Sequence, residues 1–368
     1  MKPAPADSES PRVWCLLGRK AGDNTQVRAL AARLGWPRED KHISARSWEL
    51  LPHLFLGPTL AGIDRSASSL LAAPWPDLVI SAGRRNEPVA QWIRRRAGGR
   101  SRLVHIGRPW AHPARWDLLV TTPQYFLPRS PAILHNSLPL HDADGALPPQ
   151  EEEHWRRRWQ MLPRPWIALL MGGDSGPFVF TPGKGRRLGE LASRLAGSAG
   201  GSLLFTDSAR TPPAAADACC EAFEVPAYRY RRAAPSAAAA GNPYRAMLAL
   251  ADAFVVTGES MSMLAEAHAR GRPLFVFDPG DDAPWWRHAH AWRMKPLSHQ
   301  LAMRLGPHRM RRDVGRIQRA LIDAGEARWL DQHSAAAGLP PPRAGAGDLA
   351  ARELDRAAQA VRALFHAD

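Results

Sequence analysis

Cysteine is scarce in this sequence, and long apolar runs are absent. Of the three cysteines in 368 residues, Cys15 lies in an apolar run while Cys219 and Cys220 are adjacent, which excludes a disulfide framework and any cysteine pair with zinc-ligand spacing. No uninterrupted apolar stretch approaches the roughly 18 residues that span a bilayer. Residues 1–11 are polar and Pro-rich, without the apolar segment of a signal peptide. These absences predict a disordered N-terminal tail and a cytoplasmic protein, at most peripheral at the inner membrane face.

Lysine is also scarce, although the chain is strongly basic. Only five of the 49 Lys and Arg residues are Lys, and the balance against 35 Asp and Glu gives a formal net charge of +14. This charge fits a solvated Arg-rich surface, and it equally fits a phosphate-bearing substrate, an anionic membrane or nucleic acid. Because no zinc finger, aromatic RNA-binding signature or basic zipper is present, we expect no nucleic-acid partner.

Short apolar runs, each ending in a polar or Gly-containing turn, recur along the chain and often precede a helical stretch. Continuous apolar strands that alternate with helices are typical of parallel sheets covered on both faces. A length of 368 residues favours two domains. We therefore predict an α/β fold with two Rossmann-like, doubly wound domains. The predicted strands are Val13–Leu17, 78–80, 103–106, 118–120 and 132–134, followed by 167–171, 202–205, 254–256 and Leu274–Phe277.

A Pro-rich, charged stretch over residues 139–165, with a short helical piece (HWRRRWQML) inside it, interrupts this pattern and predicts a linker. We expect an N-terminal domain over residues 12–150 and a C-terminal domain over residues 151–335. Apolar residues at 3–4 spacing predict a helix over residues 348–368, which could pack back on the first domain.

Two polar turns of the second domain have the composition of phosphate-binding loops. Gly172, Gly173 and Ser175 follow a predicted strand, and glycines at such a place permit a ligand to approach the backbone. Arg210 lies in the turn after the next predicted strand and could neutralise a phosphate. The alternatives are a plain turn and a surface arginine.

A third turn carries the strongest signal. Thr257, Gly258, Ser260 and Ser262 surround the predicted start of a helix, where free amides and hydroxyl groups could face a diphosphate. Glu266 lies one to two turns further along and could accept hydrogen bonds from two vicinal hydroxyls, as on a ribose. The alternative for Glu266 is a solvated helix residue, and Glu259 is interpreted as a helix-start carboxylate.

The first turn of the chain, after the strand Val13–Leu17, is polar and basic. It contains Arg19, Lys20, Asp23, Asn24 and Gln26. Its spacing matches neither the dinucleotide-binding nor the P-loop pattern. A strand–helix turn capped by Asp23 or Asn24 explains it equally well.

These stretches together resemble the mitochondrial fission Elm family, and GGDSG resembles a loop of the transferase that makes lipid II from UDP-N-acetylglucosamine. In the turn TDSARTP, the family favours Arg in place of Asp207 or Ala209. The matching stretches are GRKAGDNTQ, VISAGRR, HIGRP, DLLVTTPQY, LHNSLPLH, LLMGGDSG, TDSARTP, NPYRAMLALADAFVVTGESMSMLAEA and GRPLFVF.

The resemblance implies a GT-B-like fold, in which two Rossmann-like domains face each other across a cleft. The second domain would hold a nucleotide-diphospho-sugar through its three turns, and the first would hold a glycan or lipid acceptor near Arg19, Lys20, Asn24 and Gln26. Helix amides and arginine would stabilise the leaving group, so no metal or cofactor is expected. The DxD sequence within residues 141–144 is interpreted as loop.

An inverting transferase needs a base beside the acceptor hydroxyl. Asp23 and His105 are the candidate catalytic residues, with Glu87 third. A retaining mechanism would need none of them, and the sequence leaves the two mechanisms open.

Three functions remain in competition at this point. The first is hexosyl or N-acetylhexosaminyl transfer to a cell-envelope acceptor in a bacterium. The second is a non-catalytic adaptor with this fold that binds a protein or a membrane, and the third is a nucleotide-sugar epimerase. Residues 283–312 hold seven Lys and Arg and no acidic residue, which fits an ordinary basic helix face or docking to an anionic membrane.

Overall fold

The structure is a computed structural model that describes residues 10–46, 57–141, 147–175, 179–232, 241–280, 301, 304–341 and 347–366. The chain forms two compact units. The first contains the described residues up to Asn136 and those from Arg352 onward, and the second contains those from 147 to Ala351.

The first unit is built on a six-stranded parallel sheet, ordered β2-β1-β3-β4-β5-β6. All residues of β1 and β3 are buried, as expected for a sheet covered on both faces. The strand order reverses between β1 and β3, which makes their carboxyl ends the switch point where ligands bind in such sheets. The elements are β1 (Val13–Leu17), α1 (Ala21–Leu34), β2 (Arg38–His42), β3 (Leu78–Ala82), α2 (Glu87–Arg96), β4 (Arg102–Ile106), β5 (Leu118–Thr121) and β6 (Ile133–His135).

The elements of the second unit follow in chain order: α3 (Pro149–Trp159), β7 (Trp166–Met171), α4 (Pro182–Ser198), β8 (Ser202–Asp207), α5 (Pro213–Glu221), β9 (Ala227–Tyr230), α6 (Tyr244–Leu250), β10 (Ala253–Thr257), α7 (Met261–His268), β11 (Leu274–Phe277), α8 (Gly315–Asp323), β12 (Arg328–Trp329) and α9 (Gln332–Ala337). The strands form a parallel sheet in the order β12-β11-β10-β7-β8-β9. This is the Rossmann strand order, with its switch point between β7 and β10. The predicted α/β architecture with two Rossmann-like sheets is confirmed.

The last helix, α10 (Asp348–Ala363), contributes to the core of the first unit. Leu354 and Val361 are buried in the same apolar cluster as Leu30 of α1. Arg33 of α1 binds the Asp355 carboxylate with two nitrogens, Nε to Oδ1 at 2.6 Å and Nη2 to Oδ2 at 2.9 Å. The terminal helix therefore packs into the core of the first unit, although it follows α1 by some 300 residues in the sequence.

Two features of the architecture were not visible in the sequence. The strands β2, β9 and β12 lie at sheet edges, and their sequences REDKH, AYRY and RW contain no apolar run. Within the stretch predicted as a linker, α3 buries Trp155 and Trp159 in the core of the second unit. The linker interpretation missed these tryptophans because charged residues surround them.

Candidate functional site

The switch point of the second sheet brings together two turns that lie 85 residues apart in sequence. The Thr257 hydroxyl, at the end of β10, accepts a hydrogen bond from the Gly172 amide at 2.8 Å. It donates to Glu259 Oε1 at 3.0 Å. The same oxygen accepts from the Gly173 amide at 2.6 Å. The turn after β7 is thus fastened to the turn before α7.

Protein atoms fill the space beside the glycines of these turns. A Cβ added to Gly172 would lie 1.9 Å from Glu259 Oε1, and one added to Gly173 would lie 2.3 Å from the backbone oxygen of Arg210. At Gly258 the nearest atom would be Gln318 Nε2, at 2.3 Å. The glycines permit close approach, as the sequence suggested, but side chains and backbone of the same chain make the approach.

The turn after β8 is joined to the turn after β7. Ser208 Oγ donates to the Gly172 carbonyl at 3.0 Å, and the Thr211 hydroxyl donates to the same carbonyl. Arg210 Nη1 donates to the backbone oxygen of Asp174 at 3.0 Å, and the Asp174 amide donates back to the Arg210 carbonyl at 3.0 Å. Arg210 therefore lies at the site, and its guanidinium donates a hydrogen bond to the Gly-rich turn.

Glu259 is the most unusual residue of the site. It is 3% exposed, and burial raises the pKa of its carboxyl above the usual value although the charge of Arg210 lowers it. Its Oε2 is buried without a hydrogen-bond partner. The sequence suggested only a helix-start carboxylate, because its contact with Gly173 is formed across the sheet.

The start of α7 and a nearby serine offer further polar groups. Ser260 is the N-cap residue of α7, and its side chain makes no capping hydrogen bond. Ser175 is also buried, and its Oγ has no partner. An uncapped helix start of this kind presents amides and a positive dipole end to an anion.

Glu266 lies on α7 with both oxygens already accepting hydrogen bonds. Ser262 Oγ donates to Oε1 at 2.8 Å, and the Tyr244 hydroxyl donates to Oε2. Burial, and next the charge of Glu266, raises the pKa of Tyr244 well above its usual value, so the phenol remains a donor. Each carboxylate oxygen has a second lone pair, which leaves capacity for ribose hydroxyls.

Hydrogen bonds between neighbouring residues hold the first turn of the first unit together. Helix α1 begins at Ala21, so Asp23, Asn24 and Gln26 lie in its first turns rather than in a loop. Asn24 accepts from the Gly18 amide at 2.9 Å and donates to the Gly18 carbonyl at 2.8 Å. Gln26 donates to the carbonyl of Gly22 at 3.3 Å. These two amides therefore hold the helix start.

The remaining polar residues of this turn lie nearer to solvent. Arg19 and Lys20 are exposed, and Lys20 Nζ lies 3.8 Å from Asp23 Oδ2. Asp23 also approaches the turn after β3, since a Cβ on Gly83 would lie 2.8 Å from its Oδ2. Asp23 is thus a half-buried carboxylate at the switch point of the first sheet.

The other two candidate bases are inside the protein. His105 is completely buried within β4, where Nδ1 lies 2.9 Å from Ser81 Oγ and the ring packs against Trp116 at 4.5 Å. Glu87 is also completely buried, and its carboxylate accepts from the amides of Trp110 and Ala111 at 2.8 and 2.9 Å. Both side chains therefore bind groups of the same chain, whereas a catalytic base would have to bind the acceptor hydroxyl.

Several sequence features lie partly or wholly outside the described residues. The aspartates of the DxD sequence do so, as does most of the basic stretch 283–312. Among the described residues, no group of His, Cys, Asp or Glu is arranged to hold a metal ion. No helix in the described ranges is long and apolar enough to cross a membrane.

A family model, described as mitochondrial fission ELM1, matches residues 21–363. The chain belongs to the mitochondrial fission ELM1 family. The match includes every strand named above except β1, and all three turns of the candidate site. The family resemblance seen in the sequence is confirmed.

Two relatives show how far the ELM1 likeness extends. The chain is 26% identical over 248 residues to the Arabidopsis thaliana mitochondrial fission protein ELM1, a match that covers 61% of this chain and 56% of that protein. It is 23% identical over 303 residues to the uncharacterized protein RP120 of Rickettsia prowazekii (strain Madrid E), covering 73% of this chain and 83% of that protein. The chain thus matches little more than half the length of the plant relative.

Solved structures similar to this ELM1-family chain have low sequence identity. A glycosyltransferase from Rickettsia africae ESF-5 has a TM-score of 0.44 and 9% identity, with 96% of this chain and all of that chain covered. The spinosyn forosaminyltransferase SpnP has a TM-score of 0.45 and 14% identity, with 97% and 94% covered. A UDP-N-acetylglucosamine 2-epimerase from Rickettsia bellii has a TM-score of 0.38 and 11% identity, with 72% and 78% covered. At these TM-scores the likeness assigns neither residues nor substrates.

Proposed function

We propose that this ELM1-family protein is a GT-B-like glycosyltransferase that acts without a metal. It transfers a hexosyl or N-acetylhexosaminyl group from a nucleotide-diphospho-sugar to a glycan or lipid acceptor of the cell envelope. The observation that carries the proposal is that hydrogen bonds join the three predicted turns at the carboxyl ends of β7, β8 and β10: Gly172–Thr257, Gly173–Glu259 and Ser208–Gly172. Switch points of doubly wound sheets are where such ligands bind.

In this proposal the second unit holds the donor. The uncapped start of α7 and Arg210 stabilise the diphosphate, whose charge grows as it leaves. Glu266 receives the ribose hydroxyls on its remaining lone pairs, and Tyr244 and Ser262 hold the carboxylate in place. The helix dipole of α7 and the guanidinium of Arg210 then stabilise the negative charge of the leaving diphosphate.

The first unit takes the acceptor, and Asp23 is the base of an inverting reaction. Asp23 removes the proton of the acceptor hydroxyl while that oxygen bonds to the anomeric carbon of the sugar. The bond from this carbon to the diphosphate breaks, and the nucleoside diphosphate leaves with the electron pair. Asp23 is preferred over His105 and Glu87 because it is the candidate that is half exposed at a strand end.

A thermal-shift screen against UDP, GDP, CMP, ADP and their sugars tests this function. A ligand at about 100 times its dissociation constant should add about 2.7 kcal/mol of stability. The Glu266→Ala variant should lose that shift, whereas Glu221→Ala, an exposed carboxylate on α5, should keep it. The ligand-induced shift is compared rather than the melting temperature itself, since the variant also leaves Ser262 and Tyr244 without their acceptor.

A non-catalytic adaptor is the second candidate, favoured by the internal bonds that already occupy Glu266 and the glycines. It predicts that no nucleotide shifts the melting temperature of folded protein. An epimerase would instead bind the donor and release a changed sugar and free nucleotide without any acceptor. Incubation with the stabilising donor, followed by product analysis with and without acceptor, separates the epimerase from the transferase.

A further inference from the structure

The Glu259 carboxyl uses only one of its two oxygens. Oε1 accepts from the Gly173 amide at 2.6 Å and from the Thr257 hydroxyl at 3.0 Å. Oε2 is buried and has no partner. In a neutral carboxylic acid one oxygen is the acceptor and the other carries a hydrogen that needs an acceptor. The bonding pattern of Glu259 leaves Oε2 as the position that a hydrogen of the neutral acid would occupy.

The charges around Glu259 do not hold it ionised. Arg210, on the turn after β8, is the positive group that acts on it, and Nη1 of this arginine donates to the backbone of Asp174. Loss of solvation outweighs the attraction of Arg210 and the hydrogen bonds from the amides of Glu259 and Gly173 and from the Thr257 hydroxyl, so the pKa of Glu259 is raised.

The surroundings of Glu259 are nevertheless suited to an anion. It precedes the uncapped start of α7, and its Oε1 is fixed to the Gly-rich turn that also carries the unpartnered Ser175 Oγ. An ionised carboxylate at this place would repel a phosphate. A neutral carboxylic acid would instead donate a hydrogen bond, as carboxyl groups kept neutral by apolar surroundings do in other sites.

We propose that Glu259 is a neutral carboxylic acid whose Oε2–H donates a hydrogen bond to a diphosphate oxygen of the bound nucleotide. The identity of the ligand rests on the proposed function, whereas the proton on Glu259 is a property of the free protein. The proton stays on Glu259, and no bond of the ligand changes in this contact. Glu259 is thus a binding residue that makes diphosphate affinity depend on pH.

The direction of that dependence follows from linkage. In the free protein, the raised pKa means that stability falls as pH rises from the unfolded to the folded value for this group. Bound diphosphate raises the value again, because a second negative charge disfavours the carboxylate. Between the free and the bound value, diphosphate affinity falls up to tenfold for each unit of pH.

The test compares wild type with Glu259→Gln, Glu259→Ala and the control Glu221→Gln. Gln supplies an acceptor and a donor at the two oxygen positions without titrating. Dissociation constants for UDP, GDP, ADP and inorganic pyrophosphate are measured at several pH values from acid to alkaline. The pH dependence of unfolding and an infrared spectrum of the carboxylic-acid C=O band are recorded without ligand.

The proposal predicts that wild-type and Glu221→Gln affinity falls with pH, whereas Glu259→Gln affinity follows only the titration of the phosphate. Glu259→Ala should bind tenfold or more weakly at low pH. An infrared band that persists in Glu259→Gln, or identical affinity profiles in wild type and Glu259→Gln, would overturn the proposal. Should Glu259→Gln fail to fold, the wild-type infrared band and its loss at alkaline pH decide instead.

The failure of the proposed function has a different signature. If no nucleoside diphosphate or pyrophosphate binds at any pH, the transferase proposal and the ligand contact both fall. The infrared band and the pH dependence of unfolding then still decide whether Glu259 carries the proton.

Discussion

The two sheets place polar turns at equivalent switch points, but they close those turns in different ways. In the first unit Asn24 bonds to both backbone groups of Gly18, six residues away, so the turn is completed locally. In the second unit the bonds join turns from β7, β8 and β10, and an ionisable oxygen of Glu259 is left without a partner. The first unit also leaves Asn86 Oδ1 unpartnered, but this is a neutral acceptor.

The difference indicates separate roles for the two turns. A turn completed by its own side chain is stable without a ligand. A buried polar atom without a partner costs free energy, which a ligand that supplies the missing hydrogen bond recovers. This contrast is the reason why the proposed function has the donor on the second unit, and the following predictions test it.

The largest difference should come from adding a methyl group at each turn. Gly172→Ala would place Cβ 1.9 Å from Glu259 Oε1, whereas Gly18→Ala would place it 3.5 Å from Asn86, an ordinary contact. We expect Gly172→Ala to lower the free energy of unfolding by about 1–3 kcal/mol and to abolish nucleotide binding. Gly18→Ala should change neither. Denaturant unfolding and thermal shift measure the two effects, and equal tolerance of both substitutions would contradict the contrast.

Next in size is Glu87→Gln, which tests whether Glu87 is structural. Its two oxygens accept from the amides of Trp110 and Ala111, and a Gln amide group would oppose one of those donors. We expect a loss of about 1–3 kcal/mol from the resulting unpaired group, with no change in the nucleotide-induced shift. Glu221→Gln serves as the matched surface control. A stable variant that loses transfer activity would instead restore Glu87 as the base.

A smaller loss should follow from Asn24→Ala. Two hydrogen bonds to Gly18 disappear in a half-exposed turn, and we expect a loss of about 1–2 kcal/mol. Chemical denaturation measures it. Because the turn belongs to the first unit, the nucleotide shift should persist, and its disappearance would show that the first unit binds the donor.

The smallest effect concerns the thiols, which report on each unit separately. Burial raises the pKa of Cys15 to about 12 and that of Cys220 to about 11. At pH 8 the thiolate fraction is therefore very low, and iodoacetamide should label neither thiol appreciably in the native protein. Labelling that appears with denaturant should report opening of the first unit at Cys15 and of the second at Cys220. Rapid native labelling of Cys15 would contradict its burial.

Much of the fold was predictable because central parallel strands are apolar throughout. The predicted run Val13–Leu17 coincides with β1, and Leu274–Phe277 with β11. The edge strand β2, with the sequence REDKH, was invisible because its residues face solvent and carry charge. A strand can therefore be recognised from the sequence when it is buried on both faces, as central strands are, but not when it is an exposed edge strand.

The site was predictable in its turns but not in its internal contacts. Gly172 and Thr257 were both identified from local chemistry, because each follows an apolar strand. The bond between them depends on β7 and β10 being neighbours in the sheet, which no local pattern shows. For the same reason the sequence ranked Glu266 above Glu259, whose burial depends on residues 86 positions away.

Glycine amide resonances provide the most direct measurement of where the nucleotide binds. The protein labelled with ¹⁵N-glycine is titrated with the nucleoside diphosphate that gives the largest thermal shift. We predict that the resonances of Gly172, Gly173 and Gly258 move together, while those of Gly18 and Gly107, which follow β1 and β4 of the first unit, stay in place. Movement confined to Gly18 and Gly107, or no movement at saturating ligand, would contradict a donor site on the second sheet.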